Sequence, residues 1–376
     1  MLTSKGYSKA SASILILLFL AGLLVGGLLL FYVSYRQVSN LNGQMANLQS
    51  TVSSLEGFQN ISSQNINIFQ NGTSLRDIYA NVRDSVVLVQ GEASDGGVQG
   101  SGFVYSFAGQ FVVLTNYHVV EGTTVLSVTF SDGHGYPADI LGTDPYSDFA
   151  VLSVDAPASE FKPVTIVSSS SLSVGEQVIA IGNPYGLVGS LTTGVVSAMG
   201  RSITEDTAGS FAIANIIQTS TPINPGNSGG PLLNSVGNVV GITAAIVSDS
   251  QGLGFAIPSN TILRELGALI RTGTYSGHSY LGVTGMDMSY GYAQEIGANV
   301  TYGWRIASVL VEGPSNGKLF VNDIVVAMNQ QIIKNNDDLA SYLEEYTLPG
   351  DDLVITVVRG GSEIPVAVTL GTRPAP

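Results

Sequence analysis

From about residue 75 to 260 the chain is a succession of short β-forming runs, "SVVLVQG", "GSGFVY", "FVVLTNYHVV" and "VLSVTF" among them. Glycine and Asn/Asp turns separate the runs, and no long amphipathic helix lies between them. Such texture restricts this stretch to antiparallel β barrels or sandwiches. One helical segment, "SNTILRELGALIRTG", closes it, with Ser259 or Asn260 as N-cap and Gly273 as the C-terminal stop. Residues 276–373 read as a second, smaller unit of strands with a helix near "NNDDLASYLEEY". A length of 376 residues accommodates two such domains and an appendage.

The appendage comes first. "ILILLFLAGLLVGGLLLFYV", residues 14–33, is twenty apolar residues without a charge, enough to cross a bilayer of roughly 30 Å as a helix. Lys5 and Lys9 precede it and only Arg36 follows closely, which places residues 1–10 in the cytoplasm and the rest outside. A cleaved signal peptide is the rival reading, but the run is long and no A-x-A-like site follows it. The expectation is a retained transmembrane helix over 11–33. Residues 34–74 are rich in Asn, Gln and Ser, yet Val38, Leu41, Met45, Leu48, Val52 and Leu55 recur at heptad steps. Either a short coiled-coil stalk or a disordered linker fits them.

Charge and composition close off several functions. Lys plus Arg is 14 against 28 for Asp plus Glu, and nothing basic clusters, so nucleic acid is not an expected partner. Without cysteine there is no thiol catalysis, disulfide or cysteine-bound metal. The three histidines, His118, His134 and His278, are too few for a histidine-rich metal site, and no metal or other cofactor is expected.

The stretch "INPGNSGGPL", residues 223–232, carries the chemistry. Glycine loses the most freedom on folding and buries almost nothing, so packing does not account for so many around one serine. A serine hydroxyl becomes a nucleophile when a base takes its proton, and the attacked carbonyl needs N–H donors for its developing negative charge. Gly226 lets the chain turn so that its own N–H and that of Ser228 converge, while Gly229 and Gly230 leave room for substrate against the backbone. A tight β-turn with an incidental serine is the bland alternative. It weakens once "LTNYHVV" puts His118 at the end of one strand and "YSDFAVL" puts Asp148 just before another. The order His, Asp, Ser fits a triad bridging two β-barrels, as in chymotrypsin.

The motifs "GSGFVY", "LTNYHVV", "YSDFAVL", "IGNPYG", "TTGVVSAMGR", "INPGNSGGPL" and "LGFAIPSN" stand in the order of the HtrA/Deg family of membrane-associated or exported serine proteases, which residues 80–270 closely resemble. The resemblance implies a mainly β chain, with a chymotrypsin-like double β-barrel protease domain over 75–273. It implies His118 as general base, Asp148 as the carboxylate that orients it and Ser228 as nucleophile. Gly226 and Ser228 would supply the oxyanion hole, with Asn227 between them. Trypsin-like zymogens have an aspartate where Asn227 stands, so activation by chain cleavage is not expected. Ser220, Thr221 and Pro222 depart from the family's usual acidic residue and alanines. The primary substrate pocket would be lined by Thr221, Pro222, Ile223, Leu253, Gly254 and Phe255.

Residues 276–373 resemble a PDZ domain, with "YLGV" (Tyr280, Leu281, Gly282, Val283) as its carboxylate-binding loop. "VNDIVVAMNQQII" resembles a signature in which glycines stand at the positions of Asn322 and Gln330. Such domains bind peptides with free C-termini by strand addition. The family also implies a homotrimer built through the protease domains, or a multiple of trimers. Fewer than ten residues separate "SVVLVQG" from "GSGFVY", too few for the long loop that closes cages in some relatives. Together these imply a membrane-tethered endopeptidase acting on unfolded or damaged extracytoplasmic proteins. A proteolytically weak chaperone or peptide-binding protein on the same fold is the second class.

Overall fold

The computed structural model describes residues 74–94, 96–183, 189–204, 212–244 and 252–374, together with helical residues at 18–20, 26–28, 32, 34–41 and 44–45. Met1–Gln70 and Asn71–Pro376 are separate compact units. In the first, the described residues are helical, and Val38, Leu41 and Met45 are exposed. No helix among the described residues is long and apolar enough to cross a membrane. The expected span over 11–33 and the remaining heptad positions, Leu48, Val52 and Leu55, lie mostly outside them.

The second unit opens with helix α1 (Leu75–Val82), capped by Ser74, whose hydroxyl accepts the Asp77 N–H at 3.2 Å. Six strands follow: β1 (Val86–Ala93), β2 (Gly96–Phe107), β3 (Gln110–Thr115), β4 (Thr123–Thr129), β5 (Gly135–Asp144) and β6 (Phe149–Val154). They close into a barrel in the order β1-β2-β3-β6-β5-β4, every pairing antiparallel. A second closed barrel holds β7 (Gln177–Gly182), β8 (Ser190–Thr204), β9 (Ala212–Thr219), β10 (Pro231–Leu233), β11 (Val239–Ala244) and β12 (Gly254–Pro258).

The unbroken apolar runs in the sequence have a direct cause. Successive strand residues point to opposite faces, and here both faces are buried. Val87 and Val89 fill the first barrel, while Val86 turns outward to meet Ile179, Ile181 and Ile242 of the second. Phe103, Leu114 and Phe149 join that shared core between the barrels, as do Ile262, Leu266 and Leu269 of helix α2 (Ser259–Thr272).

Helix α2 ends as expected on Gly273, in the left-handed conformation with φ 78°. Its start does not follow expectation. Pro258 is the N-cap, without a side-chain bond. The Ser259 hydroxyl donates instead to Val167 O at 2.6 Å, and Asn260 Oδ1 accepts from Ser168 and Ser169. Bonds from distant chain outcompete the local cap.

The rest of this unit contains β13 (Ser279–Tyr280), β14 (Val283–Asp287), α3 (Tyr290–Ile296), β15 (Trp304–Val309), β16 (Ile324–Met328), β17 (Gln331–Ile332), α4 (Asn336–Tyr346), β18 (Asp352–Arg359), β19 (Ser362–Thr369) and β20 (Gly371–Thr372). Its sheet runs β14-β15-β16-β18-β19, with β14 at one edge. Asn322 and Gln330 have φ of 76° and 72°, the left-handed region that glycine adopts most easily. Helix α4 lies against the second barrel. Arg201 Nη1 and Ser202 N donate to the Asp337 carboxylate at 3.1 and 2.9 Å, and Asn215 Nδ2 donates to Glu345 at 3.1 Å.

Candidate active site

His118 follows β3 in a tight turn, in which the N–H groups of Val120 and Glu121 both donate to Tyr117 O at 2.9 Å. Asp148 ends a single 3-10 turn, Pro145–Ser147, and stands just before β6. It is fully buried and left-handed at φ 50°, a conformation that Asp tolerates better than most residues. Four bonds join the two turns. His118 N donates to Asp148 Oδ1 at 2.9 Å, and the ring pairs through Nδ1 with Oδ2 at 2.8 Å. Asn116 Nδ2 and Tyr117 N donate to the Asp148 carbonyl at 3.0 and 3.2 Å.

A carboxylate only accepts, so Nδ1 carries the proton in this pair, and a neutral ring keeps its basic lone pair on Nε2. Asp148 is fully buried and the His118 side chain is 22% exposed, so the carboxylate fixes the Nδ1 end of the ring from inside the protein. Beside it, burial and the neighbouring Glu121 push the Tyr117 hydroxyl up to about 12, so it remains protonated as a donor to Glu121.

Ser228 comes from the second barrel, just ahead of β10, and is 5% exposed. Asn224 to Asn227 form a turn closed by Asn227 N donating to Asn224 O at 2.9 Å. Pro225 and Gly226, with φ 97° at the glycine, are the residues a type II turn requires. The Asn227 N–H is therefore spent within the turn. Its carbonyl accepts the Thr243 hydroxyl at 2.6 Å and Gly230 N at 2.9 Å, which fixes the peptide that ends in the Ser228 N–H.

The neighbouring glycines do not have the role expected of them. A Cβ on Gly229 would lie 2.0 Å from Ser101 O and 2.4 Å from Thr115 Oγ1, and one on Gly230 would lie 2.4 Å from Ile181 O. Gly229 is bare because the first barrel presses against it, and Gly230 because β7 of its own barrel does. Packing accounts for two of the three glycines in the cluster after all.

The loops expected to form the substrate pocket do meet. Gly254 pairs with Thr219 and Phe255 with Gln218, and a Cβ on Gly254 would strike Thr221 O at 2.6 Å and Ile223 Cγ1 at 2.8 Å. Pro222 and Leu253 are exposed, Ile223 is half-buried, and Thr221 and Phe255 are buried. Hydroxyls from both sides tie this loop to β8. Ser220 Oγ accepts Val195 N at 3.0 Å, and Thr192 Oγ1 donates to Pro222 O at 3.0 Å.

Tyr280, Leu281, Gly282 and Val283 line a groove between the β14 edge and α4, whose Leu339, Ala340 and Leu343 form the opposite wall. Ala214 of β9 also borders this groove.

Sequence reasoning missed a buried ionic cluster between the first barrel and the C-terminal unit. His278 Nε2 pairs with Asp144 at 2.6 Å and its Nδ1 with Glu344 at 3.0 Å, while Arg264 bridges Glu265 and Glu344. Burial alone would lower the His278 pKa, but its hydrogen bonds to Asp144 and Glu344 push it up to about 10. Burial raises Glu265 well above the usual carboxylate range, with the Asp144 charge adding to it. Asp144, Glu265 and His278 hold ligand-type atoms within 4.8 Å of one another, as do the more exposed Asp132, His134 and Glu160. In the buried group the protons on His278 already occupy the place of a cation.

Residues 100–242 match the trypsin-like peptidase domain family. The chain is 37% identical over 291 residues to Protease Do-like 1, chloroplastic, from Arabidopsis thaliana, covering 73% of this chain and 64% of that protein. It is 39% identical over 282 residues to a probable periplasmic serine endoprotease DegP-like from Chlamydia muridarum, covering 74% and 55%. Against these curated relatives the chain spans between 55% and 64% of their length. The solved structure of HtrA-type protease AlgW with tripeptide superposes with a TM-score of 0.65 at 30% identity, over 81% of this chain and 99% of that one.

Proposed function

This chain belongs to the HtrA/Deg family of serine proteases, and from that premise we propose that it is a membrane-tethered endopeptidase acting on unfolded extracytoplasmic proteins. The observation that carries the chemistry is the two-point hold of Asp148 on His118, in the barrel opposite the one that carries Ser228. In this reading Ser228 Oγ attacks the peptide carbonyl as its proton passes to His118 Nε2. Asp148 stabilises the resulting imidazolium without taking the proton itself. The N–H groups of Gly226 and Ser228 hold the oxyanion. His118 then protonates the leaving amine, and a water activated by the same ring hydrolyses the acyl-enzyme.

The C-terminal unit serves as a PDZ-type peptide site. β14 is a sheet edge, and the groove beside it is bounded by one helix, an arrangement that suits an added strand. The terminal carboxylate of that strand would meet the backbone at Leu281 and Gly282. Asn322 and Gln330 support the reading, because they adopt the left-handed turns that the signature fills with glycine.

The apolar run over 14–33 tethers the protein, with residues 1–10 in the cytoplasm. The exposed apolar positions Val38, Leu41 and Met45 suit a stalk paired with its copies, and the protease domains form the trimer. Residues 75–376 alone are then expected to scatter light as a trimer, and a monomer or dimer would contradict this.

Labelling with a fluorophosphonate tests the catalytic reading. The proposal expects a single adduct on Ser228 that is lost in His118→Ala. A holding protein without proteolysis would show no adduct in either form.

A further inference from the structure

We infer that Ser101 is a positioning residue for the oxyanion-binding turn, reaching across from the first barrel to fix the Gly226 peptide. This rests on the reading of Ser228 as nucleophile.

Ser101 lies on β2, fully buried, and every polar atom it has is engaged. Its hydroxyl donates to Gly226 O at 2.6 Å and accepts from Asn183 N at 2.8 Å. Its own N–H donates to Ser228 O at 2.7 Å, and its carbonyl accepts the Thr115 hydroxyl at 2.7 Å. One residue of the first barrel thus grips the second barrel on both sides of Asn227.

The two N–H groups assigned to the oxyanion are held by separate means. The Ser228 N–H is set by its own peptide, whose carbonyl is held by Thr243 and Gly230. The Gly226 N–H depends on the Pro225–Gly226 turn keeping its φ of 97°. Asn227 N holds this peptide from within the turn by donating to Asn224 O, but glycine resists rotation less than any other residue, and an anchor from outside adds to that hold. The Ser101 hydroxyl is that anchor, since it holds the carbonyl on the far side of the same Cα. A preorganised donor is worth most where it cannot turn away as charge develops. Gly182, next to Asn183, belongs to the same arrangement, because a Cβ there would crowd Ser101 Oγ at 3.1 Å and Asn227 Cα at 2.9 Å.

Removing the hydroxyl leaves two buried polar groups unpaired, Gly226 O and Asn183 N. The turn then has reason to rotate, while the ground-state peptide loses no contact. Ser101→Ala is expected to lower kcat by about tenfold to a hundredfold, short of the roughly 10²–10³ that follows loss of a whole donor. KM should stay within about twofold.

The decisive readout is a peptide boronic acid, which forms a tetrahedral adduct on the serine and uses the oxyanion donors as the transition state does. Its Ki should rise by the same factor as kcat/KM falls. Binding of the parent peptide should be equal in Ser228→Ala and in the Ser101→Ala/Ser228→Ala double variant. Ser101→Cys, which keeps a weak donor, should recover part of kcat and of boronate affinity together. Wild-type kcat and Ki in Ser101→Ala would overturn the inference while leaving the protease reading intact. So would equal losses in peptide and boronate binding, or failure of both variants to fold, since Ser101 would then act through the fold alone. An inactive wild type, or an active Ser228→Ala, would instead strike at the protease reading.

Discussion

Asp148 accepts two hydrogen bonds from one residue, His118, taking its backbone N–H at 2.9 Å and its ring Nδ1 at 2.8 Å on separate carboxylate oxygens. The backbone bond sets where the ring stands, and the ring bond sets which nitrogen carries the proton. Asp148→Asn keeps the shape and removes the obligatory acceptor, so the ring can turn its proton to Nε2. A fall in kcat of about 10⁴ is expected, with thermal stability changed far less. Peptide hydrolysis and a melting curve on the same sample check both halves.

Gly229 distinguishes packing from substrate access. At φ 86° and with Ser101 O only 2.0 Å from the place of a Cβ, Gly229→Ala has no room. It should destabilise the protein by about 1–3 kcal/mol or more and abolish cleavage. Gly109, with a φ of the same 86° but nothing within 4 Å of its Cβ position, is the control for the backbone cost alone. Denaturant midpoints for the two variants, measured side by side, should differ widely. Equal midpoints would mean that the barrels do not press together at Gly229.

The His278 cluster makes stability depend on pH. The His278 pKa is raised in the fold to about 10 from an ordinary value near 6.5. Its contribution is therefore complete below about 6.5 and is lost as pH rises toward 10. Glu344 is shifted the other way. Burial would raise it, but His278 and Arg264 hold it below the usual carboxylate range, so its contribution is lost in acid. His278→Gln should destabilise most at mildly acidic to neutral pH and converge on the wild type at alkaline pH. Denaturation midpoints across that range check the sign, and a gap that widens with pH would contradict it.

In the proposed reading, the loops at 221–223 and 253–255 set specificity. Pro222, Ile223 and Leu253 offer apolar surface, and neither loop contains a carboxylate to receive Lys or Arg. Cleavage should follow small or medium aliphatic residues, with discrimination of roughly 10–200-fold between neighbours in size. Mass spectrometry of digested casein gives the map. Cuts concentrated after Lys or Arg would contradict the pocket.

Much of this was legible in the chain because the relevant signals are local. Strand runs, the turns at Gly226 and Gly273, and the placement of His118 and Asp148 at strand ends all follow from neighbours in sequence. What stayed hidden depends on contacts from far along the chain. Gly229 and Gly230 looked like space for substrate because nothing nearby shows that Ser101 O and Ile181 O fill it. Ser259 looked like an N-cap because Val167 O, 92 residues away, is invisible to a local rule. Ser101 itself gave only a weak signal, a polar residue inside an apolar strand run between two glycines. A buried serine there needs partners, which is the clue that local patterning supplied and did not resolve.

The most direct test of the account is cleavage of an unfolded protein such as casein by the wild type and by Ser228→Ala, with both shown to fold by circular dichroism. The account predicts that the wild type digests casein and that Ser228→Ala does not, while any capacity to hold unfolded protein persists in the variant. Comparable proteolysis by the two proteins would contradict it.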